Sequence, residues 1–152
     1  MHSAPSVTFP VGRSAFLGGL LAGSGVLGML AVFADMVCCR GAGAASAGLL
    51  WCGWAATGVW AWTRQPQGRL SWRAGDSRTL ETGARAAGHW SWVSGAYREG
   101  VALLRVERVY DLQGVMLLRL HNADGARTWV WVERRSDPAR WQDLRRALVA
   151  HA

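Results

Sequence analysis

Lysine is missing from this sequence: all 17 basic residues are arginines, set against 10 acids. Its positive charge therefore cannot be titrated away near neutral pH, and the bias reads as the mark of a GC-rich genome rather than of guanidinium chemistry. Cysteine is scarce, with Cys38 and Cys39 adjacent and Cys52 deep in a separate apolar run. That placement excludes a disulfide framework. No histidine stands at metal-ligand spacing from Cys38 and Cys39, so small apolar filler is the expected role. Also absent are a glycine-rich phosphate loop, a GxSxG elbow and an HExxH helix. His89 and His121 fall on expected strands with no carboxylate at ligand spacing along the chain. Glu107 and Asp111 read as solvated or salt-bridged groups beside Arg105 and Arg108. No catalytic, metal or cofactor site is expected, and the chain does not read as an enzyme.

The most informative absence is of charge. Ser14 to Ala34 gives 21 residues without a charged side chain, and Gly41 to Thr63 gives another 23. At 1.5 Å per residue each run reaches about 30 Å, the thickness of a bilayer's hydrocarbon core. In lipid each run must satisfy its own backbone, so each should be helical. The short break bracketed by Asp35 and Arg40 forces them antiparallel. A cleaved signal peptide fits poorly, because the first run is too long and a second follows directly. The expected organisation is residues 1–13 as a cytoplasmic segment, 14–63 as a transmembrane hairpin with spans 14–34 and 41–63, and 64–152 as a cytoplasmic domain.

Small residues recur at four-residue spacing in both runs: Ala15, Gly19 and Gly23 in the first, and Ala44, Gly48, Cys52 and Ala56 in the second. Such stripes let helix backbones approach closely in lipid. Ala15, Gly19, Gly23, Ala44, Gly48 and Ala56 are therefore the candidate helix-packing face, serving the hairpin's own seam or a homo-oligomer. Trp60 and Trp62 mark an interface as an aromatic belt would. Arg64, Arg69, Arg73 and Arg78 follow the second run closely and Arg13 precedes the first, which by the positive-inside rule puts both termini in the cytoplasm. Asp35, at the mouth of the first span, reads as a snorkelling interface residue.

Beyond Arg64 the hydrophobic period becomes that of strands. Arg69–Arg73, His89–Val93, Val101–Tyr110, Val115–His121 and Arg127–Arg134 alternate, separated by turns at Asp111–Gly114 and Asn122–Gly125. Asp76–Gly88 reads as a long polar loop with a strand fragment. In the last strand Thr128, Val130 and Val132 oppose Trp129 and Trp131. A closing helix follows, with Asp137 as cap, Pro138 in its first turn, and Trp141, Leu144 and Leu148 on one stripe. The fold class expected is a membrane protein: a two-helix hairpin followed by a small α+β domain, an antiparallel meander with an amphipathic helix. Residues 64–152 carry 15 arginines and nine acids, about +6. That charge suits an anionic lipid surface, an acidic protein or nucleic acid, with nucleic acid disfavoured because alternating tryptophan is more often core. Arg140, Arg145 and Arg146 are the candidate partner or lipid contacts.

The hairpin, His89-Trp90-Ser91-Trp92, the strand Val115–Leu120 and the closing Ser136–Arg146 segment together resemble the YgfX-type (toxin CptA) family of small bacterial inner-membrane proteins. Residues 76–88 and Trp141 depart from that pattern. The resemblance implies a non-enzymatic, multi-pass protein whose cytoplasmic domain contacts the division and shape cytoskeleton, tubulin-like and actin-like polymers. It further implies a small flavinylation-factor-like antitoxin as a neighbour. Two other readings compete: a juxtamembrane module resembling pleckstrin-homology domains that binds anionic lipid, and an accessory subunit of a membrane complex.

Overall fold

The computed structural model describes residues 6–39, 42–74 and 88–150. The chain forms two compact units, Arg13–Gln65 and a second made of Met1–Gly12 with Pro66–Ala152. Apart from Ala74 and Gly88, the segment between Arg73 and His89, including the expected strand fragment, lies outside the described residues.

The first unit is a helix pair, α1 (Ala15–Cys39) and α2 (Ala42–Thr63). Ser14 caps α1, its Oγ accepting the Leu17 N–H at 3.0 Å. No proline or charge interrupts α1 before Asp35, and the helix carries that residue in its final turns instead of ending ahead of it. By length and hydropathy α1 alone among the described residues qualifies to cross a membrane, with mean hydropathy 2.0 and no part of that window buried. The second run forms its helix as expected, but its Gly and Trp residues keep it below the same measure. The two helices run antiparallel, early α1 against late α2: Trp62 Nε1 donates to the Ser14 carbonyl at 2.8 Å, and Trp51 Nε1 to the Gly25 carbonyl at 3.0 Å.

The second unit is one antiparallel sheet in the order β1-β2-β3-β4-β5-β6. Its strands are β1 (Val7–Val11), β2 (Gly68–Arg73), β3 (His89–Ser94), β4 (Val101–Asp111), β5 (Val115–Asn122) and β6 (Arg127–Glu133). Five strands match the alternation expected from the sequence. The sixth, β1, does not: residues 1–13 were expected to stand apart, yet Val7, Phe9 and Val11 pair with Trp72, Leu70 and Gly68 of β2. The helix pair is thus an insertion between two neighbouring strands of one sheet. Pro10 is tolerated because β1 is an edge strand, one side of which has no ladder partner. The two edge strands approach one another, so the sheet curls around its own apolar side.

That side holds Phe9, Leu70, Trp72, Trp90, Trp92, Val106, Leu118, Leu120, Val130 and Val132, all buried. The helix α3 (Trp141–Ala150) closes it with Trp141, Leu144, Ala147 and Leu148. Asp137 Oδ1 accepts the Arg140 N–H at 3.1 Å, but this closes a turn ahead of the helix: α3 begins at Trp141, three residues beyond the start expected at Pro138. Phe9 and Trp141 meet with ring centroids 5.9 Å apart, so the first strand and the closing helix share one core. Each large apolar side chain buried here contributes about 1.5–3 kcal/mol.

Candidate functional site

In the helix pair the seam follows a 3-4-3-4 spacing: Gly18, Leu21, Gly25, Gly28 and Val32 on α1, with Gly48, Trp51, Ala55, Gly58 and Trp62 on α2. Each glycine is a notch for one large side chain. A Cβ at Gly28 would stand 2.6 Å from Trp51, one at Gly18 3.0 Å from Trp62, and one at Gly58 3.2 Å from Leu21. The indole N–H of each seam tryptophan finds a carbonyl near its own notch, Trp51 that of Gly25 within α1 and Trp62 that of the capping Ser14, so neither polar group is left unmet in the contact.

This differs from the stripe expected from the sequence. Of those residues, Gly48 borders the seam, 3.9 Å from Val32, whereas Gly19 and Gly23 face open space. Ala15 is half-buried, Ala56 is exposed, and the side chain of Ala44 lies outside the described residues. The physical reason is the helix period. Strict four-residue spacing drifts around a helix, while alternating threes and fours hold one face. A groove of about 500 Å³ runs along the pair, walled by Gly18, Ala22, Gly25, Trp54 and Trp62 among others. Cys38 and Cys52 are exposed and free, and no metal-ligand cluster occurs among the described residues.

The candidate arginines of the closing segment do not form one binding face. Arg145 Nη2 donates to Asp111 Oδ2 at 2.8 Å, and Arg108 reaches the same oxygen at 3.3 Å. This ties α3 to the end of β4, and Arg145 is only 31% exposed. Arg140 donates to the Thr8 carbonyl at 3.0 Å and so holds β1. Arg146, 72% exposed, has only Asp143 within range, at 3.5 Å. The β4–β5 turn completes this rim. Gln113 adopts φ +62°, its N–H bonded to Asp111 Oδ1 at 2.9 Å, and its carbonyl receives Trp141 Nε1 at 3.2 Å. A left-handed non-glycine residue is held there by contacts on both sides.

The outer face of β4–β6 is the chemically richest surface, and the sequence reading did not single it out. Register aligns three cross-strand rows: Arg105, His121 and Arg127; Glu107, Arg119 and Trp129; Tyr110, Leu117 and Trp131. In the middle row Arg119 Nε donates to Glu107 Oε2 at 3.0 Å and its Nη2 makes a second bond to the same oxygen. The guanidinium lies 5.4 Å from the Trp129 ring centroid, a cation–π geometry. His121 Nε2 stands 3.4 Å from Glu107 Oε2. These partners, Arg119 first, hold the Glu107 carboxyl below its ordinary pKa. His121, expected to lack a carboxylate neighbour, therefore has one across the strand pair rather than along its own strand.

Trp129 is 46% exposed and Trp131 half-buried, because Val130 and Val132 take the core side. The Trp/Val alternation of β6 was visible in the sequence, but both partners are apolar and the choice of face was not. Glu107, Arg119 and His121 meet in the unbroken register of Arg105–Arg108 against Leu118–His121. Irregularities in β4 flank it on both sides, between Leu103 and Arg105 and between Arg108 and Tyr110, the second placing Tyr110 opposite Leu117.

No family model, no curated protein and no solved structure matches this chain.

Proposed function

We propose that the chain is a two-span membrane protein without catalytic activity, whose sheet unit is a cytoplasmic module that binds protein. The observation that carries this reading is the inverted packing of the helix pair. Leu20, Leu27, Leu30, Phe33, Leu49, Leu50 and Val59 face outward and exposed, while glycine and its tryptophan partners fill the seam. Apolar outward surface on this scale suits lipid and not water. One end of the pair carries arginines seated on tryptophan: Arg64 Cζ lies 4.6 Å from the Trp60 ring and Arg13 Cζ 5.5 Å from Trp62. Cationic and aromatic anchors together mark the cytoplasmic interface. In this reading α2 crosses alongside α1, both termini are cytoplasmic, and the host membrane is a bacterial inner membrane.

The resemblance to YgfX-type proteins adds the partner class, tubulin-like and actin-like polymers, with a small antitoxin-like protein as a second partner. A second reading is favoured by the curled meander closed by one helix, an arrangement similar to pleckstrin-homology modules. It makes anionic lipid the ligand.

Two measurements test these readings. A reporter active only in the cytoplasm should work when fused before Met1 or after Ala152 and fail when inserted between Cys39 and Arg40; the reverse pattern overturns the topology. Full-length protein in nanodiscs should co-sediment with purified tubulin-like or actin-like polymers and show no preference for anionic over neutral lipid. Co-sedimentation with neither polymer, together with anionic-lipid binding, replaces the first reading with the second.

A further inference from the structure

We propose that the outer face of β4–β6 binds an acidic peptide segment that carries an apolar anchor a fixed distance from its carboxylates. This deepens the protein-binding reading above and rests on it. The face is graded. At one end Arg105 and Arg127 are exposed, and no carboxylate of the described residues lies within ion-pair range of either. His121 sits between them in the register. At the other end Tyr110, Leu117 and Trp131 make an apolar row in which Tyr110 is 61% exposed.

The middle row is already satisfied, since Glu107 neutralises Arg119 and Trp129 lies beside the pair. It forms a floor that asks for no further charge. What remains is positive charge at one end and apolar surface at the other, so the complementary ligand is acidic at one end and apolar at the other. From His121 to Leu117 is four residues of strand, about 13 Å at 3.3 Å per residue. An extended peptide would bridge that distance with about four residues of its own.

Two other polyanions fit less well. A nucleic-acid strand would carry phosphates along its whole length, and the Tyr110, Leu117 and Trp131 row offers them no positive charge. An anionic bilayer presents a uniform charged surface, whereas the positive charge of this face is confined to the end that holds Arg105 and Arg127.

The test uses full-length protein in neutral nanodiscs against a displayed library of random linear peptides. Selected sequences should be enriched in Asp or Glu followed about four residues later by an aromatic or aliphatic residue. Arg105→Glu with Arg127→Glu should lower affinity for a selected peptide about tenfold, two exposed ion pairs being removed and reversed. Both side chains are exposed, but Arg105 also favours the charged Glu107, so Arg105→Gln with Arg127→Gln is tested beside the reversal and should keep the parent's thermal stability while still lowering affinity. Tyr110→Ser should relax the demand for the apolar residue while keeping the demand for acid.

Selection of peptides without acidic enrichment overturns the proposal, as does full retention of binding by the double variant. So does binding of a labelled single-stranded octanucleotide, or flotation with phosphatidylglycerol vesicles, that the double variant abolishes in place of peptide binding. Failure here with the reporter pattern intact removes this surface alone. An inverted reporter pattern removes the cytoplasmic reading, whatever the library yields.

Discussion

In the sheet unit Trp72, Trp90, Trp92 and Trp141 are buried among Leu, Val and Phe, and the arginines stand outside. In the helix pair Trp54 and Trp60 are exposed beside Leu, Val and Phe, while the contact line is made of glycines and of the Trp51, Trp62 and Leu21 side chains that fill their notches. One chain therefore packs by two rules. Where water is the solvent, removing large apolar side chains from it drives folding. In the proposed membrane setting of the helix pair that gain would disappear, and close approach of backbones with satisfied polar groups would decide the packing. The same residue type fills a core in one unit and a notch in the other.

The largest effect should come from breaking the boundary between the units. Removing Met1–Gly12 deletes β1, and with it Val7, Phe9 and Val11 from the core. Phe9→Ala alone should cost about 3–5 kcal/mol, and loss of the strand should unfold the sheet unit, read as rapid proteolysis and loss of the cooperative thermal transition. Residues 64–152 alone should fail for the same reason. Conversely, Val11 and Gly68 are already paired, so replacing residues 12–67 with Asn-Gly, a two-residue hairpin turn, should yield a water-soluble, cooperatively melting sheet. If that chain aggregates while the 64–152 fragment folds, the view of the helix pair as an insertion in one sheet is wrong.

Next in size is the seam. Gly28→Ala drives a methyl into Trp51, whereas Gly23→Ala meets nothing within 4 Å. The first should destabilise the helix pair by about 1–2 kcal/mol, the scale of interhelical contacts in membranes. The second should leave it unchanged. Thermal stability of the full chain in detergent separates them. Equal effects would mean that small residues matter here for composition and not for position.

These two tests also mark where the sequence was legible. β2–β6 announce themselves through period-two alternation and turn residues, and α3 through the stripe of Trp141, Leu144 and Leu148, although it begins three residues later than the Asp137–Pro138 signal suggested. β1 has the same alternation at Val7, Phe9 and Val11, but it is five residues long, contains Pro10 and finds its partner more than fifty residues later, beyond an apolar stretch that dominates the eye. As the hairpin's own seam the stripe was misplaced, because four-residue spacing was read without asking which large residues face the notches. Its other expected role, a face for a second copy, is not tested by a single chain in which Gly19 and Gly23 point outward. Trp51 and Trp62 recur at the same rhythm as Gly18, Gly25 and Gly28. The outer face of β4–β6 was not legible, since it depends on register and on the irregularities that flank it in β4.

A smaller contrast lies within the closing helix. Arg145→Gln removes the 2.8 Å bond to Asp111 that fastens α3 to β4, and should cost about 1 kcal/mol, the upper range for a partly exposed pair. Arg146→Gln should change stability by no more than about 0.5 kcal/mol. Denaturant midpoints of the two variants, compared at unchanged slope, check the order. Equal midpoints would return Arg145 to the set of uncommitted surface arginines.

The smallest effect is acid sensitivity at the outer face. Glu107 in the folded chain loses its proton more readily than an ordinary glutamate, chiefly because Arg119 donates to its carboxylate. The group's folded pKa is depressed, so its contribution to stability is fully present above the unfolded value and is lost as pH falls through the folded one. Glu107→Gln keeps the shape and removes the titration. Above the ordinary carboxylate range the parent should therefore be slightly the more stable. The difference should shrink through the acid window and close at its lower end, and added salt should weaken it because the pair is partly solvated. Arg119 should also shift off Trp129 once its carboxylate is protonated or replaced, changing the indole's fluorescence in step with stability. A stability difference that stays constant through the acid window would mean that the Glu107 carboxylate does not hold Arg119 in place, and that the middle row of the face is kept by the cation–π contact alone.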